Sequence, residues 1–176
     1  MAPEQTPAPY AGARKARRPS AEGRRAGLGT RDFLRRVESA ALAAFPSTLA
    51  HGATSHVRFS LLQVHFGDPT VHYEVWVQRR GQPAGHGVIE VSLHFEGRDG
   101  DRNRALLAGL VAHAGELMDA LGPRIEPEEW TKSWTRLHET LPLDTPLDER
   151  LADAVGRRVA RWVEVCKPLL PKRRHV

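Results

Sequence analysis

The chain has 176 residues, of which 40% are hydrophobic and 27% charged, enough apolar material for the core of one ordinary domain. None of its apolar runs approaches the ~20 residues that span a bilayer, and the Pro-, Ala- and Arg-rich first 30 residues lack the apolar stretch of a secretory signal. We therefore expect neither a membrane anchor nor secretion, and the lone Cys166 fits a reducing, cytoplasmic setting.

The formal net charge of +5 is distributed unevenly. Residues 1–36 carry a net +6, the stretch from Lys167 onwards carries +4, and residues 37–166 carry −5. We therefore predict a mildly acidic folded body with a basic segment at each end. The abundance of arginine is by itself weak evidence of function, because Arg outnumbers Lys 22 to 4, a bias that a GC-rich genome produces.

Residues 1–28 have few large apolar side chains, repeated Pro and Gly, and a run of cations. Such a segment cannot bury enough surface to offset the entropy lost on ordering, so we predict a disordered basic tail. Its cations are candidates for contact with nucleic-acid phosphates or an acidic protein: Arg14, Lys15, Arg17, Arg18, Arg24 and Arg25. A solvated tail without a partner and a start site assigned too far upstream are the alternatives.

Residues 29–170 are predicted to form one domain, followed by a basic tail at 171–176. The domain begins with an amphipathic helix that runs from Thr30, the predicted N-cap, up to Pro46. An antiparallel meander over 56–96 follows, and its first strand, 56–66, shifts its apolar phase as a bulge would.

The next two runs alternate, with Val71, Tyr73, Val75 and Val77 on one face of 71–79 and Ile89, Val91, Leu93 and Phe95 on one face of 88–96. This pattern is typical of strands with one face on a core, and the short loops favour antiparallel neighbours. A second helix is predicted after Gly100 and ends at Gly122, since its apolar residues recur at a spacing of three or four.

Residues 124–142 fit two structures. The spacing of Trp130 and Trp134 suits a helix, whereas the threonines suit an extended segment that would add a strand; the extended form is slightly favoured. A last helix is predicted from Asp144 or Thr145 to Pro168. The fold class is therefore α+β: an antiparallel sheet of three to five strands with helices packed on one face, in the order α-β-β-β-α-(β)-α.

The chain lacks the motifs of the common catalytic and cofactor sites. GxGxxG after a strand, GxxxxGK[ST], GxSxG and HExxH are absent, and one cysteine excludes the paired-cysteine zinc motifs. No cofactor is assigned.

Period-two geometry places the polar side chains of 71–79 and 88–96 on the sheet face opposite the core. The candidate ligand face consists of His72, Glu74, Trp76, Glu90 and His94. An ordinary solvated face is one interpretation. A face covered by a ligand, a partner or a second copy of the chain, with Trp76 as anchor, is another, and a divalent-metal or acid/base site is a third.

Two hypotheses follow. The preferred one is a small, non-catalytic interaction module whose basic arms contact nucleic acid or an acidic partner. The alternative is a small metal- or ligand-dependent enzyme that uses the polar face of the sheet through His72, Glu74, Glu90 and His94.

Overall fold

The computed structural model describes residues 27–79 and 87–171 and confirms the α+β class. The helices are α1 (Thr30–Ala44), α2 (Ser47–Ala50), α3 (Gly100–Val111), α4 (Ala114–Leu121) and α5 (Glu149–Cys166), followed by a 3-10 turn at Lys167–Leu169. The strands are β1 (Thr54–Arg58), β2 (Leu61–His65), β3 (Val71–Gln78), β4 (Gly87–Phe95), β5 (Glu126–Glu129) and β6 (Thr135–Leu143). The cations of the predicted N-terminal tail and those from Lys172 onwards lie outside the described residues.

The six strands form one antiparallel sheet in the order β1-β2-β3-β4-β6-β5. This is one strand more than the predicted maximum of five. None of the described helices is both long enough and apolar enough to cross a membrane.

The segment predicted as one strand, 56–66, belongs to a hairpin of β1 and β2 instead. Arg58 pairs with Leu61, so Phe59 and Ser60 alone make the turn. Phe59 adopts the left-handed backbone conformation (φ 52°), and its side chain is 84% exposed. The shift of apolar phase therefore marks a chain reversal rather than a bulge.

Two further elements correct the sequence predictions. Segment 124–142 is extended, as slightly favoured, but it supplies both β5 and β6. The predicted second helix is divided into α3 and α4 at Ala112 and His113. Two helix starts also differ from those predicted: α1 is capped by Gly29 rather than Thr30, and α5 begins only after Asp148, whose carboxylate accepts from the Leu151 N–H.

The helices cover one face of the sheet, and α1 and α5 also pack directly on each other. Gly156 of α5 lies so close to the backbone of α1 that a Cβ at this position would be 2.8 Å from the carbonyl oxygen of Val37. Trp162 and Cys166 are fully buried on the inner side of α5. Burial raises the pKa of the Cys166 thiol to about 12, which suits an inert core residue.

A carboxylate lies among the apolar side chains of this core. Glu139 of β6 is 1% exposed and faces α5. It accepts hydrogen bonds from Arg158 Nε (2.5 Å) and Nη2 (2.9 Å) and from Trp162 Nε1 (2.9 Å). Arg158 also donates to the carbonyl oxygen of Leu121 at the end of α4, so this buried group links the sheet to two helices.

Candidate metal-binding face of the sheet

The strand register places the five candidate residues on the sheet face that the helices leave open. His72 pairs with His94, whereas Trp76 pairs with Glu90. Glu90 and His94 are four residues apart on β4, a distance of about 13 Å along a strand. The candidates therefore divide into two clusters rather than converging on one point.

We name the first the histidine cluster; it consists of Gln63, His72, Glu74, Ser92, His94 and Glu96. The second, the arginine cluster, consists of Glu90, Glu128, Trp130, Arg136 and His138, with Trp76 at its border. Although no helix of residues 27–79 or 87–171 lies over this face, His72 and His94 are each only 3% exposed and Glu74 is 7% exposed. The side chains pack against one another instead of pointing separately into solvent.

The two imidazoles of the histidine cluster lie parallel. Their ring centroids are 5.3 Å apart and their planes differ by 5°. His72 Nδ1 lies 2.9 Å from the carbonyl oxygen of Pro69, which can only accept, so Nδ1 carries the proton. In the neutral ring, Nε2 accepts from the Gln63 amide at 3.1 Å, whereas in the protonated ring the Nε2–H faces the Glu74 carboxylate at 3.6 Å.

His94 can hold its proton on either nitrogen. Its Nδ1 lies 3.1 Å from the Glu96 carboxylate, and its Nε2 lies 3.0 Å from the Ser92 hydroxyl, which can donate or accept. A metal-binding imidazole typically donates from one nitrogen to a hydrogen-bond acceptor while the other presents its lone pair. His72 meets this pattern with Nε2 as the ligand atom, and His94 meets it when Nε2 donates to Ser92, which leaves the Nδ1 lone pair on the side of Glu96.

Glu74 lies against both histidines. Its carboxylate oxygens are 3.6 Å from His72 Nε2 and 4.0 Å from His94 Nε2, and it accepts from Gln63 at 2.8 Å. Burial alone would raise the pKa of Glu74, but the hydrogen bond with His72, the charge of His94 and the Gln63 amide outweigh it, so this pKa is lowered. Burial likewise opposes protonation of His72, yet Glu74 and Glu96 outweigh it and raise the pKa of His72.

Three of these residues form a candidate metal-ligand set. One ligand atom from each of His72, His94 and Glu96 lies within 4.8 Å of the other two. Tetrahedral zinc with bonds near 2.05 Å needs its ligand atoms about 3.3 Å apart, so modest rotation of the side chains would close the set. Two imidazoles and a carboxylate suit zinc and neighbouring transition metals.

In the arginine cluster, Glu90 is engaged by a cation. Arg136 donates to Glu90 (2.6 Å) and to Glu128 (2.6 Å), and its guanidinium carbon lies 3.7 Å from the centroid of the Trp130 ring. The Trp76 ring meets the same indole edge-on at 6.4 Å. Glu90 therefore belongs to an ion pair beside Trp130 and lies apart from His72 and His94.

Sequence reasoning missed Arg136 and Trp130. Their segment, 124–142, was left open between helix and strand, and without a strand there is no period-two pattern to place Arg136 beside His94. The alternation of 135–143 is the signal that would have found Arg136, once that segment is fixed as a strand.

No protein-family model matches the chain, and neither a curated protein nor a solved structure matches it significantly.

Proposed function

We propose that this protein is a divalent-metal-binding module that holds one ion with His72, His94 and Glu96 on the open face of the sheet. The observation that carries the proposal is a pair of parallel, buried imidazoles beside a carboxylate. One ligand atom of each of the three groups lies within 4.8 Å of the other two. Glu74 supports it, since this second carboxylate adds negative charge beside both rings.

The hydrogen bonds of Gln63 support the same proposal. The Gln63 amide nitrogen donates to both His72 Nε2 and the Glu74 carboxylate. A bound cation would attract the same two groups. An ion bound at His72 Nε2 would replace this contact, and the Gln63 amide can rotate away because the residue is only partly buried.

The burial of the ligands favours ion binding over turnover of a substrate. His72 and His94 are enclosed, and the most open ligand is Glu96, whose side chain is 24% exposed. An ion would therefore enter past Glu96, and a bulky substrate would have little access to it. This favours a non-catalytic module, in which the ion fixes the geometry of the open face.

Two measurements on the full-length protein test the proposal: calorimetric titration with zinc, and thermal unfolding with and without zinc. We expect one ion per chain and, at zinc concentrations near 100 times Kd, a stabilisation of about 2.7 kcal/mol. For a chain of this size this raises Tm by roughly 5–10 °C. His72→Gln, His94→Gln and Glu96→Gln should each weaken binding, the histidine variants by more than about 100-fold, since even outer-shell partners contribute 10- to 100-fold.

His113→Gln is the matched control, because the His113 side chain is 42% exposed on the helical side of the fold. It should bind zinc as the wild type does. Cobalt supplies an independent readout, since imidazole and carboxylate ligands change its visible absorption. A Tm that does not respond to zinc, or histidine variants that bind zinc as tightly as the wild type, would refute the proposal.

A second function, contact with nucleic-acid phosphates, is favoured by the separation of charge along the sequence: basic ends beside a body of net −5. Replacing Arg14, Lys15, Arg17, Arg18, Arg24 and Arg25 by glutamine in the full-length chain tests it. If six phosphate contacts form, the wild-type affinity for DNA should fall about 10³-fold between 50 and 200 mM salt, and the variant should lose most of this dependence. The control is the double variant Arg150→Gln/Arg157→Gln, since both residues are exposed on α5. DNA affinity with the same salt dependence in the wild type, the six-residue variant and this control would count against the proposal.

A further inference from the structure

A cavity of about 660 Å³ lies on the other side of the sheet from the histidine cluster. It lies at the end of the core where β2 turns into β3, next to α2, α3 and the 3-10 turn. Its walls are largely apolar and include Leu49, Phe66, Val71, Leu106 and Leu170. Both the volume and the lining are typical of sites for small organic molecules.

Two cations line this cavity. Arg102 forms an ion pair with Asp68 at 3.5 Å. Lys167 Nζ lies 4.8 Å from the centroid of the Phe66 ring, and no carboxylate of residues 27–79 or 87–171 pairs with it. An ammonium group on the edge of an apolar cavity, held there by an aromatic ring, is placed to bind an incoming anion.

The most buried residue of the lining is Tyr73, which is 2% exposed. Its hydroxyl is buried and makes no hydrogen bond within the described part of the chain. Because this oxygen is closed to solvent, it offers no contact to a ligand, and Tyr73 contributes only to the apolar wall. The cavity thus offers a cation at its rim and an apolar wall.

We propose that this cavity binds a medium-chain carboxylic acid. The carboxylate binds to the Lys167 ammonium, and the apolar wall covers the chain. Binding is reversible and non-covalent. This site uses none of the histidine-cluster residues, so it stands or falls independently of the metal proposal.

Calorimetric titration of the full-length protein with dodecanoate, below its critical micelle concentration, tests the proposal. We expect one-to-one, saturable binding. Lys167→Met should weaken dodecanoate binding by about tenfold or more, since it removes a charge-assisted contact.

Lys132→Met is the matched control, because Lys132 is exposed in the β5–β6 loop and does not line the cavity. It should bind dodecanoate as the wild type does. Thermal unfolding of Lys167→Met verifies that this variant is folded. Absence of saturable binding, or Lys167→Met binding at wild-type strength, overturns the proposal.

Discussion

Glu139→Ala is expected to lower the free energy of unfolding by about 3–5 kcal/mol, the range measured when one partner of a buried ion pair is removed. The wild-type carboxylate is 1% exposed and accepts three hydrogen bonds, two from Arg158 and one from Trp162. Without it, the partly buried Arg158 guanidinium and the fully buried Trp162 N–H would lose their carboxylate acceptor. For a domain whose total stability is typically 5–15 kcal/mol, this loss is a large share.

Urea unfolding followed by tryptophan fluorescence and circular dichroism measures this effect. The control is Glu164→Ala, which removes the exposed ion pair with Arg161 on the same helix and should change stability by no more than about 1 kcal/mol. A double variant, Glu139→Leu/Arg158→Met, removes both charges and should recover most of the loss, since apolar replacement of a buried pair is often neutral. If Glu139→Ala and Glu164→Ala unfold at the same urea concentration, the buried cluster does not stabilise the fold as argued.

Gly156→Ala is the second variant with a large expected effect. Its methyl group would lie 2.5 Å from Ala40 Cβ, 2.8 Å from Val37 O and 2.9 Å from Ala41 N. Two of these three atoms belong to the α1 backbone, which a change of side-chain rotamer cannot move. The helices must separate, and we expect a loss of about 3 kcal/mol, the upper end of the range for overpacked cores.

Gly109→Ala is the matched control, since it makes the same change inside a helix where the added methyl group meets nothing within 4 Å. Because alanine is the better helix former, this control should gain roughly 0.5–1 kcal/mol. Adding Ala40→Gly to Gly156→Ala should restore part of the stability, as it removes the nearest contact and leaves the two backbone contacts. The unfolding midpoints of Gly156→Ala and Gly109→Ala should therefore shift in opposite directions. Shifts of the same sign and size would contradict the close packing of α1 on α5.

The sequence predicts the central strands well because local information suffices there. Apart from Trp76 and Val88, residues 71–78 and 88–96 alternate between apolar and polar, and this alternation also assigns His72, Glu74 and His94 to the face away from the core. The β1–β2 reversal escapes prediction because Phe59 and Ser60 are not the Gly or Asn residues that usually mark such a turn. The break between α3 and α4 escapes it because the apolar spacing continues across His113.

What the sequence does not determine is which side chains meet across long separations. Glu139 lies at an inward position of β6, and its partner Arg158 is supplied by α5, so only the packed structure explains a carboxylate there. The division of the open face into two clusters depends on the β3–β4 register, which pairs His72 with His94 and leaves Glu90 to Arg136. Neither fact follows from the period of a pattern.

The contact between α1 and α5 also bears on how the chain is made. The ribosome synthesises α1 before α5, the helix that packs on it. It likewise synthesises β4 before β6, its neighbour in the sheet. Until residue 166 has left the exit tunnel, the side of α1 that packs on α5 stays uncovered. We expect productive folding to begin only after translation of α5, and nascent chains stalled before it to need chaperone protection.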